Sequence, residues 1–182
     1  MITGPMFSGK SEELIKRIRH YSRNGAHFQV FNHILDDRYT INKIVSHSQL
    51  QWNSISVSES SKILSSLLNE TIAVFIDEIQ FFDHGIVSVI DVMIAKGLIV
   101  VAAGLDKNYR GEFFINTAHL METANKEVMK LRSICTICKK RNATLTTRIP
   151  VSESPSSHDK DEIRVGGAES YEPRCKKHHS IM

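Results

Sequence analysis

Gly4-Pro5-Met6-Phe7-Ser8-Gly9-Lys10-Ser11 follows the pattern G-x-x-x-x-G-K-[ST]. Its glycines let successive backbone N–H groups curl around phosphate oxygens. Lys10 reaches the β- and γ-phosphates, and the Ser11 hydroxyl can ligate Mg2+. A nucleoside triphosphate is therefore the expected ligand. Asp77-Glu78 closes a run of apolar residues, at the carboxyl end of a strand where open α/β sheets gather their ligands. There Asp77 can hold Mg2+ through water, and Glu78 can accept a proton from an attacking hydroxyl or from water. Two acids at a strand end are ordinary on their own. With the loop upstream they become the second half of a phosphoryl-transfer site, in a kinase or in an ATPase.

The three cysteines fall into a second constellation, Cys135-x-x-Cys138 and Cys175-x-x-His178. Two such pairs suit a closed tetrahedral Zn2+ site with a structural role and no open position for chemistry. The alternative is a set of buried free thiols with a solvated His-rich tail, and His179 beside His178 leaves the fourth ligand open between them. A metal here would clamp the ends of segment 139–174, which carries Pro150, Pro155, Gly166 and Gly167 and little core-forming pattern. Long loops of that kind are usually functional. Asp36-Asp37-Arg38-Tyr39 offers Asp36 to Mg2+ and Arg38 to phosphates, although such a tetrapeptide also makes an ordinary turn. Of Phe81-Phe82, at least one ring is expected inward. Aromatic residues in 104–114 are suited to pack on a planar base. His20, His27, His33, His47, His84, His119 and His158 lack ligand spacing and read as surface or satisfied polar groups.

These residues need a scaffold that holds strand ends and helix starts together. Leu14, Ile15, Ile18 and Tyr21 recur at helical spacing, so the loop opens a helix whose positive end faces the anion. Residues 27–31 read as a short buried strand, while 71–76 and 98–104 read as buried parallel strands. Ile86, Val89, Ile90 and Met93 form a helical stripe between those two. The result is a βαβ unit in an α/β, phosphate-loop-type parallel sheet flanked by helices. A further helix is expected over 117–131. From residue 134 turn formers, charges and cysteines replace the periodic pattern, which divides the chain into a nucleotide-binding domain at 1–133 and a small zinc-ribbon and lasso domain at 134–182. Only Met1-Ile2-Thr3 precede Gly4, shorter than an ordinary strand. Either the chain is trimmed there or the sheet uses one truncated strand.

With 182 residues, 41% of them hydrophobic, the chain can bury a full core. No apolar run approaches the roughly 20 residues needed to span a bilayer, so no membrane partner is expected and the cytoplasm is the default compartment. Basic residues gather at 126–148 and 174–177, yet the formal charge is only +3. A zinc-knuckle nucleic-acid binder using Lys139-Lys140-Arg141 is thus an alternative that the overall charge disfavours.

Taken together, the phosphate loop, Asp36-Asp37-Arg38-Tyr39, Ser46-His47, Asp77-Glu78-Ile79-Gln80-Phe81-Phe82, Gly104-Leu105-Asp106, Tyr109-Arg110-Gly111-Glu112 and the two zinc pairs resemble the type II (cytosolic-type) thymidine kinases over nearly the whole chain. The Cys3His ending looks like the form found in mollicutes. The resemblance implies transfer of the ATP γ-phosphate to the 5′-hydroxyl of thymidine, giving dTMP in nucleotide salvage. Glu78 would be the catalytic base. Residues 4–11, Asp77, Glu78, Ile79, Gln80 and Arg38 would surround ATP, and Ser11, Asp77 and Asp36 would organise Mg2+. A lasso tied to structural Zn2+ on Cys135, Cys138, Cys175 and His178 would close on the base. Nucleoside contacts would come from Met6, Phe81, Leu105, Tyr109, Phe114, Thr146, Val165, Gly166, Gly167 and Tyr171. A homotetramer inhibited by dTTP, with no nucleic-acid partner, is the implied assembly. Asn32-His33 stand where the family commonly has Lys-Pro, and Phe113 replaces a frequent Pro.

Overall fold

The computed structural model describes residues 1–36, 42–46, 48–124, 127–149 and 166–180. Its centre is a six-stranded sheet in the order β5-β2-β6-β7-β1-β8. These strands are β1 (Ile2–Thr3), β2 (Phe28–His33), β5 (Ile55–Val57), β6 (Ala73–Ile76), β7 (Ile99–Gly104) and β8 (Met129–Lys130). Every pairing between them is parallel.

A parallel sheet must be covered on both faces, and the alternation within β6 shows how. Val74 and Ile76 point to one side, where they join Phe31 and the Ile86, Val89, Ile90 and Met93 stripe of α3 (Gly85–Ala95). Ala73 and Phe75 point to the other, against Leu14, Ile15 and Ile18 of α1 (Lys10–Arg23). Phe75 takes Tyr21 and Phe28 edge-on, with centroids at 5.3 and 5.7 Å. Each fully buried aliphatic side chain in these layers contributes about 1.5–3 kcal/mol. Together they fix α1 over the sheet, and with it the loop that α1 begins.

The strand before the phosphate loop is two residues long, and it lies inside the sheet. Ile2 pairs with Ala103 on one side and Met129 on the other, and Thr3 pairs with Gly104 and Lys130. Met129 and Leu131 donate N–H bonds to the carbonyls of Met1 and Thr3, at 2.8 and 2.7 Å. The Met1 ammonium donates to the Glu127 carbonyl at 2.7 Å. This pairing corrects the helix expected over 117–131. Helix α4 covers only Ile115–Thr123, and the chain then extends as β8, because β1 would otherwise leave buried backbone groups unpaired.

Three pieces lay outside the sequence reading. Strands β3 (Lys43–Val45) and β4 (Gln51–Asn53) form an antiparallel hairpin, β5 forms the sheet edge, and α2 covers Ser61–Ser65. Beyond β8, β9 (Leu145–Arg148) and β10 (Tyr171–Arg174) pair antiparallel as a separate two-stranded sheet, with Thr146 opposite Pro173 and Arg148 opposite Tyr171. No described helix is long and apolar enough to cross a membrane.

Candidate active site

The phosphate loop connects β1 to α1 through strained backbone. Phe7 has φ 60° and Gly9 φ 89°, and the Gly9 carbonyl accepts the first helical bond, from the Glu13 N–H at 2.9 Å. Gly4 is required twice over: its φ is 150°, and a Cβ there would stand 2.6 Å from the Leu131 carbonyl oxygen. Two contacts from the C-terminal part of the chain brace the loop. Thr146 Oγ1 accepts from the Met6 N–H at 3.0 Å, buried, and Ser133 Oγ donates to the Phe7 carbonyl at 2.9 Å. Lys10 is buried and its ammonium donates to the Pro5 carbonyl at 2.8 Å.

Asp77 and Glu78 lie at the end of β6, which is flanked by β2 and β7. Burial, then the neighbouring Glu78 charge and that of Asp36, push the Asp77 carboxyl up to about 7 against hydrogen bonds from the Ser11 hydroxyl and the Glu78 N–H. Glu78 is buried and adopts the left-handed conformation, φ 51° and ψ 48°, at a cost of order 1–3 kcal/mol for a non-glycine residue. It is held by Gln80, in the single turn of 3-10 helix at Ile79–Phe81. Gln80 Nε2 donates to Glu78 Oε2 at 2.5 Å, while Gln80 Oε1 accepts from the Leu105 N–H at 3.0 Å. One buried amide therefore spans the acidic motif and the end of β7.

These groups face one cavity of about 630 Å3. Of the residues expected around phosphate, Met6, Phe7, Ser8, Gly9, Lys10, Ser11, Glu78 and Gln80 line it. Of those expected around a nucleoside, Met6, Phe81, Leu105, Tyr109, Phe114, Thr146, Gly166, Gly167 and Tyr171 do so. Gly4 and Pro5 are buried at the start of the loop, outside the cavity lining, and the Ile79 side chain belongs to the hydrophobic core. Asp77 sits behind Ser11, with Asp36 close enough for its charge to act on it. Arg38, His47 and Val165 lie outside the described residues.

Other lining residues escaped the sequence reading, among them Glu12, Val45, Ser48, Gln49, Lys107 and Asn108. Ser48, in the β3–β4 turn, donates to Glu12 Oε2 at 3.0 Å, which joins the hairpin to the first turn of α1. Its only signal was the neighbouring Ser46-His47 pair. Asn108 is buried and folds the 107–113 loop: its Oδ1 accepts from the N–H groups of Arg110 and Glu112, and its Nδ2 donates to Glu112. Lys107 lies over the Phe113 ring at 4.7 Å, across the base of that loop.

Asn32 and His33 close β2 with their own network. Asn32 Oδ1 accepts from the Ser54 and Ser56 hydroxyls, each at 2.9 Å. His33 Nδ1 accepts from the Leu35 N–H at 3.1 Å, so Nε2 carries the proton and donates to the Ser58 carbonyl at 3.1 Å. Burial holds the His33 ring below its ordinary pKa, and the Ser58 bond and Asp83 charge oppose it without prevailing.

The ligand atoms of Cys135, Cys138, Cys175 and His178 all lie within 4.8 Å of one another. His178 Nδ1 is 3.2 Å from Cys175 Sγ and 3.6 Å from Cys135 Sγ. Zn–S bonds near 2.3 Å in a tetrahedron place sulfurs roughly 3.8 Å apart, so the cluster fits a structural Zn2+. Burial pushes the Cys135 thiol up, but backbone N–H groups of Cys138, Cys175 and Ile137 and the His178 contact outweigh it and bring it down to about 5. That favours the thiolate a metal needs. The choice left open by the adjacent histidines is resolved by direction: His178 enters the cluster, whereas His179 Nε2 lies 2.9 Å from the Tyr109 carbonyl oxygen.

The phosphate loop and Glu78 of the buried acidic pair thus line one cavity together with Phe81, Tyr109, Phe114 and Tyr171, and the Cys3His cluster stands outside that lining. A family model described as thymidine kinase matches residues 1–179, and the chain belongs to the thymidine kinase family.

Proposed function

We propose that the chain transfers the γ-phosphoryl group of ATP to the 5′-hydroxyl of thymidine, forming dTMP and ADP for pyrimidine deoxynucleotide salvage in the cytoplasm. The observation that carries this reading is one cavity lined both by the phosphate loop with Glu78 and by aromatic side chains suited to a planar base. Residues 4–11 bind the phosphates through backbone N–H groups, and Lys10 exchanges its contact with the Pro5 carbonyl for the β- and γ-oxygens. Glu78, aimed by Gln80, takes the proton from the 5′-hydroxyl as its oxygen bonds to the γ-phosphorus and the bond to the β,γ-bridging oxygen breaks. Ser11 and Asp77, with Asp36, would hold Mg2+, which when bound supplies neutralisation of the phosphate charge.

Leu105, Tyr109, Phe114 and Tyr171 enclose the base, and Gly166 and Gly167 offer it backbone groups. Thr146 accepts from Met6 and still has its hydroxyl proton to donate. A pocket that reads a base this closely rejects larger purines. Residues 1–133 act as the phosphotransfer unit and 134–182 as its zinc-tied cap, with Arg38 on phosphate and Val165 on the base. A homotetramer with dTTP as feedback inhibitor completes the reading. A panel of nucleosides with ATP and Mg2+ tests it. Thymidine should give equimolar nucleoside monophosphate and ADP, with purine nucleosides inert. Failure to phosphorylate any pyrimidine nucleoside would sink the proposal.

A further inference from the structure

We infer that His179 is a positioning residue for the nucleoside pocket, which ties the Tyr109 loop to the metal-bearing end of the chain; this rests on the thymidine kinase reading. A carbonyl oxygen only accepts hydrogen bonds. The 2.9 Å contact therefore has His179 Nε2–H donating to the Tyr109 carbonyl, across 70 positions of sequence. The backbone of His179 is itself fixed by the ligand turn, because the N–H groups of His178 and His179 both donate to the Cys175 carbonyl, at 2.9 and 3.0 Å. Tyr109 is also gripped at its ring. Arg148 of β9 lies over it at 5.7 Å and Arg110 at 5.3 Å, with Arg110 Nε donating to the phenol oxygen at 3.0 Å.

Two attachments from the C-terminal part of the chain, one to backbone and one to ring, thus set a residue that lines the cavity. Of two adjacent histidines, the first completes the metal cluster and the second transmits its position to the pocket wall. His179 touches no reacting atom, so its removal acts on nucleoside binding and leaves the phosphate loop unchanged.

His179→Phe keeps the ring and loses the donor, while His179→Gln restores an N–H at similar reach. Hydrogen exchange of the 107–113 amides and zinc content are measured in both, with steady-state kinetics alongside. For His179→Phe we expect faster exchange in that loop, about one zinc per chain still bound, and a KM for thymidine raised roughly 3- to 10-fold. The KM for ATP and kcat should stay near wild type, and His179→Gln should recover most of the loss. Unchanged loop protection with zinc retained would overturn the inference, as would loss of zinc from His179→Phe, which would make His179 a ligand. A wild-type chain that phosphorylates no nucleoside would instead refute the functional reading, while the exchange result would still judge the tether.

Discussion

Gly104 closes β7 against the acidic motif, and adding one methyl there tests how tightly Glu78 is placed. A Cβ at 104 would stand 2.6 Å from Gln80 Oε1, 2.6 Å from Ile79 Cγ2 and 3.0 Å from the Ile79 backbone nitrogen. Relief to an ordinary contact of about 3.5 Å requires roughly 0.9 Å of movement. Rotating Gln80 away would break its bonds to Glu78 and to the Leu105 N–H. Moving the Ile79 backbone would carry Glu78, its neighbour, along. The first route releases the proposed base from its Gln80 anchor, and the second displaces it by most of an ångström. Misplacement of about 1 Å costs on the order of 100-fold in rate, or about 2.7 kcal/mol of barrier. Overpacking lowers stability by about 1–3 kcal/mol, which leaves enough fold to assay. Gly104→Ala should therefore lower kcat for thymidine phosphorylation by roughly 30- to 100-fold, while ATP binding by calorimetry falls far less, because the clashing atoms belong to Gln80 and Ile79 and not to the loop at 4–11. A folded variant with kcat within about threefold of wild type would refute the idea that Gln80 sets the position of Glu78.

Thr146→Val preserves shape but strips the buried Met6 N–H of its acceptor. It should cost about 1–3 kcal/mol in denaturant unfolding and raise the KM for ATP as well as thymidine; an effect on thymidine alone would contradict the bracing role. His33 has a folded pKa depressed by burial, so the stability it contributes is present above its ordinary value near 6.5 and is lost as pH falls through the lowered one. Thermal melts from pH 7.5 to 5 should show this loss and His33→Gln should reduce it; parallel curves would contradict it. Cys135→Ser should drop bound zinc from about one per chain to near zero, read by metal analysis, and retained stoichiometric zinc would contradict the assigned cluster.

How much of this was legible depended on whether a signal was local. Strands β6 and β7 announced themselves as continuous apolar runs because a parallel strand buried on both faces has no polar alternation to hide it. The phosphate loop and the cysteine pairs were legible because their chemistry fixes the spacing of the residues that perform it. Residues 117–131 misled because Val128, Met129 and Leu131 carry no helical or strand signature of their own, and their pairing with Ile2 and Thr3 is a tertiary demand. The same limit hid the Met6 contact with Thr146, 140 positions apart, and the choice between His178 and His179. Both are decided by where two distant segments meet. The β3–β4 hairpin was missed for a different reason: its strands are three residues each, with Ile44 buried, Trp52 packed on the core and only Gln51 and Asn53 exposed, too short to show a period.

The central claim, that Glu78 takes a proton from a nucleoside hydroxyl beside a bound triphosphate, is tested most directly by Glu78→Gln. The substitution keeps size and an oxygen able to accept from Gln80 Nε2, so geometry is retained while the base is removed. With ATP, Mg2+ and thymidine, wild type should form dTMP and ADP in equal amounts. The variant should bind ATP with little change and turn over about 10²- to 10⁴-fold more slowly. Wild-type turnover that releases ADP at the same rate with and without thymidine, or a variant as fast as wild type, would contradict the account.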